Sequence, residues 1–172
     1  MIPRKHLMQA FAAGVLALTA ATASADAIIT MTRPGNIAFA SPGGGLVQIG
    51  PGLFTTPNFA NAFNQRFMVL YTAECTVYNT AAGNSSVWLD LDVEAVNVIT
   101  GVITRLPPTV GVSDAFCTSN GTAAGDGWTM AAVNAVSPAN MPAGTYRIQL
   151  RGRIQNGVGT GHLGDSSLTV WR

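Results

Sequence analysis

Apolar and polar residues alternate along long stretches of this chain, with a period of two. Phe63, Phe67, Val69, Tyr71, Ala73, Cys75 and Val77 fall on one face of an extended segment, and Asn64, Arg66, Thr72, Glu74 and Thr76 on the other. Met68 and Leu70 are the exceptions. Successive side chains of a strand point to opposite faces, so the pattern predicts one long β-strand, or two joined by a bend. Val87 to Ile99 repeats it: Val87, Leu89, Leu91, Val93 and Ala95 point one way, and Trp88, Asp90, Asp92 and Glu94 the other. In Thr145 to Gln155, Tyr146, Ile148, Leu150 and Ile154 alternate with Arg147, Gln149, Arg151 and Arg153. Shorter strand candidates are Ala27–Thr32, Ile37–Ala40, Leu46–Ile49, Val102–Leu106, Val110–Cys117, Trp128–Val136 and Leu168–Trp171.

Turn chemistry separates these segments. Ser41 to Gly45, Ala82 to Ser85, Thr100-Gly101, Pro107-Pro108, Asn120-Gly121, Gly125 to Gly127, Pro142 to Gly144 and Asn156-Gly157 supply residues that fix a bend or tolerate positive φ. No segment after the first 25 residues has a helical period. Short strands at this spacing predict an all-β fold, an antiparallel β-sandwich of jelly-roll type.

Two strands carry their charges on one face. If Val87–Ala95 and Thr145–Gln155 are neighbours, Asp90, Asp92 and Glu94 meet Arg147, Arg151 and Arg153 across the ladder, each pair adding about 0.2 to 1 kcal/mol. The simpler alternative is two separate solvated faces. In either case Leu89, Leu91 and Val93, with Tyr146, Ile148 and Leu150, are expected in the core. Trp88 shares the acidic face, and a ring beside carboxylates can stack on a sugar while the acids accept its hydroxyl hydrogens. Trp88, Asp90, Asp92 and Glu94 are therefore the candidate ligand-binding residues. Catalysis by paired acids needs a second wall to shape a protonated carboxyl, and calcium needs a loop supplying further oxygens. Neither accompanies this row, so no metal and no cofactor is expected.

The N-terminus changes the reading of composition. Arg4, Lys5 and His6 precede an apolar run from Leu7 to Ala21, and Ala23-Ser24-Ala25 is a small-residue cleavage site. These are the parts of a secretory signal over residues 1–25, too short in its apolar run to span a bilayer. Residues 26–172 then form one β-sandwich domain without an integral membrane segment, secreted or periplasmic, and the Ala-rich leader points to a bacterium. The whole chain has 172 residues, 48% hydrophobic and only 10% charged, with a formal charge of +1. Without Arg4 and Lys5 the remainder holds seven arginines, no lysine and eight acids. A field that would recruit nucleic acid is missing. The apolar excess points instead to a subunit interface and a homo-oligomer, or to a protein or glycan surface partner.

Cys75 and Cys117 are the two cysteines. In an exported chain they are expected to pair in one disulfide, worth about 3 to 4 kcal/mol by loop entropy. His162 is the single histidine beyond the leader, in a Gly-rich stretch read as a turn. Asp165, Ser166 and Ser167 follow it, but the Gly-x-Ser-x-Gly elbow of a serine hydrolase is missing, and no catalytic residue is assigned.

Met141 to Arg153, followed by Asp165 to Val170, resembles the closing strands of C1q/TNF-like jelly rolls, over about a fifth of the chain. The resemblance implies trimer formation and recognition of protein or glycan partners through exposed loops. The size and single disulfide are also similar to those of chaperone-usher pilins, in which case Ala27–Thr32 would be a strand donated to the next subunit. The sequence thus reads as an exported, non-catalytic β-sandwich acting in assembly or surface recognition. A carbohydrate-binding module and a pilin-like subunit are the alternatives.

Overall fold

The computed structural model describes residues 26–40, 47–48, 55–79, 87–110, 115–119, 128–157 and 159–172. Its strands are β1 (Ala27–Arg33), β2 (Ile37–Ala40), β3 (Val47–Gln48), β4 (Phe59–Asn61), β5 (Met68–Asn79), β6 (Trp88–Asn97), β7 (Ile103–Arg105), β8 (Ala115–Thr118), β9 (Thr129–Val136), β10 (Gly144–Gln155) and β11 (Gly159–Trp171). Chain ends pair first and inner segments follow: β1 and β2 lie on β11, β3 and β4 on β10, β5 on β9, and β6 on β7 and β8, all antiparallel. Rolling that nested ribbon sets β11 beside β5 and β10 beside β6. The outcome is two sheets, one ordered β1-β11-β5-β9 and the other β3-β10-β6-β7, with β2, β4 and β8 extending the edge positions. This is the double Greek key of a jelly roll.

The period of two decides what fills the space between the sheets. Val69, Tyr71, Ala73, Cys75 and Val77 of β5 are buried, facing Leu89, Leu91, Val93 and Ala95 of β6 and Ile148, Leu150 and Ile154 of β10. Phe59, Phe67 and Tyr146 pack together at one end, with Phe59 edge-on to Phe67 at 5.2 Å. Toward the other end Tyr71 meets Phe116, and Cys75 of β5 is joined to Cys117 of β8, so the expected disulfide ties one sheet to the other.

Several expectations are corrected. Phe63 is 70% exposed rather than on the core face. The chain turns between β4 and β5, with Asn64 in the left-handed region, and the strand begins only at Met68. Residues 159–167 are strand, not a Gly-rich turn. Gly159 is required there by close packing, because a Cβ on it would lie 2.5 Å from the Tyr78 carbonyl oxygen. Ala27–Thr32 pairs with Thr32↔Ser167 to Ala27↔Trp171 in its own chain, which uses the segment within this sheet. The leader, the turns at 41–45, 82–85, 120–121 and 125–127, and part of the Val110–Cys117 segment lie outside the described residues.

Candidate functional site

The acidic row of β6 and the basic row of β10 are neighbours, in the register Asp90↔Arg153, Asp92↔Arg151 and Glu94↔Gln149. Arg153 Nε donates to Asp90 Oδ2 at 2.6 Å, and its Nη2 lies 3.5 Å from Asp92 Oδ1. Arg105 of β7 approaches from the opposite side, 3.3 Å from Asp92 and 3.4 Å from Glu94. Arg151 is 3.9 Å from Glu94, and Gln149 Nε2 donates to Glu94 Oε2 at 2.7 Å. Arg147, expected in this ladder, is opposite Val96 instead. Arg105 takes its place, and sequence reading missed it because a three-residue strand carries almost no periodic signal.

This placement corrects the reading of the row as a ligand platform. Asp90 and Asp92 are fully buried and Glu94 is 1% exposed, while Arg105 and Arg151 keep part of their side chains in solvent. The carboxylates form an inner layer neutralised by an outer layer of arginines. Trp88 is half-buried, and its indole nitrogen is enclosed. Neither the solvated-face reading nor an open sugar platform describes this geometry. The row instead holds the β6–β10 register, since a slip by one residue would separate every pair.

A second chemical cluster, which no periodic pattern announces, lies on the outer face of the other sheet. His162 of β11 is opposite Thr76 of β5. Its ring stands edge-on to Tyr78 at 4.4 Å and to Trp128 at 6.2 Å. Its Nδ1 lies 3.4 Å from the Asn36 amide nitrogen, and burial pushes the imidazole below its usual range. Asp165, next along a bulged stretch of β11, accepts from Gly35 N at 2.7 Å. Glu74 and Trp128 approach one another over Gly164: a Cβ there would lie 2.8 Å from Glu74 Oε2 and 3.2 Å from Trp128 Cζ3.

The third feature is the free flank of the same sheet. β9 ends the sheet order, and among the described residues no strand is hydrogen-bonded to its outer edge. Val136 N–H donates off the sheet to the Pro107 carbonyl, so by ladder alternation the N–H and C=O of Met130, Ala132 and Asn134 also point off it. The strand reads TMAAVNAV, without charge or proline. Beside it, between the sheets, is a cleft of about 240 Å³ lined by Leu91, Pro108, Ala115, Phe116 and Val133 among others.

No family model matches the chain, and no curated protein matches it. Among solved structures, the chain is similar to the infectious bursal disease virus VP2 subviral particle, with 17% identity and a TM-score of 0.42 over 83% of this chain and 31% of that one. It is similar also to the infectious bursal disease virus Gx strain structure, with 16% identity and a TM-score of 0.47 over the same shares. The chain therefore spans about a third of the length of the structures it matches. The jelly-roll assignment rests on the strand order and register, to which these likenesses add no functional content.

Proposed function

We propose that this protein is an exported β-sandwich that works by assembly rather than catalysis, and that β9 is the edge on which a second copy docks. The observation that carries the reading is the chemistry of β9. Natural sheets blunt their edges with charge, proline or very short strands. Here β1 ends in Arg33-Pro34, β7 carries Arg105 ahead of Pro107-Pro108, and β2, β3, β4 and β8 are four residues or fewer. β9 has eight residues and none of these devices. In a two-fold antiparallel pair of identical strands residue i meets residue j and j meets i, and the residues at the axis meet their own copies, so a charge near the centre of the strand would face its like. An uncharged strand with outward Met130, 71% exposed, suits such a self-match. Export is supported by the inter-sheet disulfide, which an oxidising compartment favours.

Sizing of the mature protein over about a hundredfold concentration range tests the reading. Association that weakens on dilution is expected, and Ala132→Lys with Asn134→Lys should yield a monomer whose thermal stability matches that of the fully diluted, dissociated wild type. A monomer at every concentration would overturn assembly. A trimer insensitive to both lysines would place the contact away from β9, in line with the C1q/TNF-like expectation.

A further inference from the structure

The cluster on the outer face of the β5–β11–β9 sheet is built differently from the rest of that surface. Met68, Leu70 and Trp171 lie toward one end of the face, and toward the other three rings stand in a row across it: Tyr78, His162 and Trp128. Thr76, short and on the outer face, is 1% exposed. His162 is directly opposite it on one side, and on the other Trp128 immediately precedes the Thr129↔Cys75 pair. The rings therefore cover Thr76, with His162 standing edge-on between Tyr78 and Trp128. Trp128 nevertheless keeps 43% of its surface exposed, an unusual amount for the largest apolar side chain.

The polar groups around these rings select the ligand. Glu74 contributes an acceptor-only carboxylate beside Trp128, Asn36 an amide oxygen and its second N–H, Tyr78 a hydroxyl, and the half-buried His162, whose Nδ1 faces the Asn36 amide N–H, the N–H of its other ring nitrogen. An anion would meet Glu74 and be repelled. A cation would use the carboxylate and the rings but would be repelled by the second N–H of Asn36, whose first faces His162 Nδ1, and by the N–H of the other His162 ring nitrogen. A sugar uses all of them, because each hydroxyl both donates and accepts while the apolar ring face stacks on an aromatic plane. Gly164 is what permits the arrangement, since any side chain there would enter the space where Glu74 and Trp128 meet.

We propose that Trp128, His162, Tyr78, Glu74 and Asn36 form a binding site for a neutral saccharide, on the outer face of the sheet at the start of β9 and away from the half-buried Trp88 of the other sheet. The test is affinity electrophoresis of the exported protein in gels containing dextran, mannan, xylan or soluble starch, with titration of glucose, galactose, mannose and N-acetylglucosamine followed by tryptophan fluorescence. At least one of these probes should bind. Trp128→Ala should weaken that binding about tenfold or more, with Trp128→Phe recovering part of it. Gly164→Ala should weaken it too, and Trp88→Ala should bind as the wild type does. Unchanged thermal unfolding of Trp128→Ala separates loss of a site from loss of the fold. The proposal is overturned if no probe binds, if Trp128→Ala binds normally, or if Trp88→Ala abolishes retention. Binding of an arginine-rich peptide, lost in Glu74→Gln and unaccompanied by any sugar binding, would make this a cation site and overturn it equally.

Discussion

Both carboxylate oxygens of Asp92 are enclosed at ion-pair distance from Arg105 and Arg153, yet neither accepts a hydrogen bond from a described residue. Burial is the largest influence and pushes this carboxyl above its usual range; Arg153 and Arg105 oppose it, and Asp90 and Glu94 reinforce it. A folded value above the unfolded one means that the native protein holds this proton at a pH where the unfolded chain has released it. The contribution to stability is therefore full below the unfolded value and is lost as pH rises through the folded one. Urea unfolding between about pH 7 and pH 4 should show the wild type gaining stability relative to Asp92→Asn as pH falls. A difference that stays constant would count against this account. Arg153 is the opposite case, a nearly buried cation with a 2.6 Å partner. Arg153→Ala strands Asp90 in the interior and should cost about 3 to 5 kcal/mol, whereas Arg147→Ala, outside the ion-paired row, should cost far less. Chemical denaturation of the two variants side by side measures the contrast.

At the scale of elements, β6 and β10 were legible because alternation over ten or more residues is hard to produce otherwise. Which acid would meet which arginine was not, because register depends on the partner strand. β11 shows the opposite failure. Its first half, Gly159 to Ser166, reads as a turn by composition, but the glycines serve close strand packing and a bulge between Leu163 and Ser166. The misreading hid the ring cluster, since His162 on a loop suggests nothing while His162 on a strand fixes its neighbours. Its one sequence signal was that Tyr78, His162 and Trp128 are scarce residue types in a chain with 3 Tyr, 2 His and 3 Trp. Gly159→Ala should destabilise the protein by about 1 to 3 kcal/mol, as its Cβ meets backbone that cannot rotate away. Thermal unfolding checks this, and a neutral outcome would mean that β11 can shift off β5.

For the whole molecule, the disulfide spans 42 residues and joins the sheets near Tyr71 and Phe116. Cys75→Ser with Cys117→Ser should lower the unfolding free energy by about 3 to 4 kcal/mol, read from the urea midpoint, with the sheets still formed by far-ultraviolet circular dichroism. An unchanged midpoint would show that the loop is already constrained without it. The sequence by itself determined the all-β class, the core-facing residues of the long strands and the pairing of two cysteines, because alternation and pair counting are local properties of the chain. Only the tertiary structure decided that the acidic row is an enclosed ion-pair layer, that β9 is the uncharged edge, and that Tyr78, His162 and Trp128 stand in one row. Those outcomes depend on which strands become neighbours, and antiparallel rolling brings together residues more than eighty positions apart that no window of sequence contains.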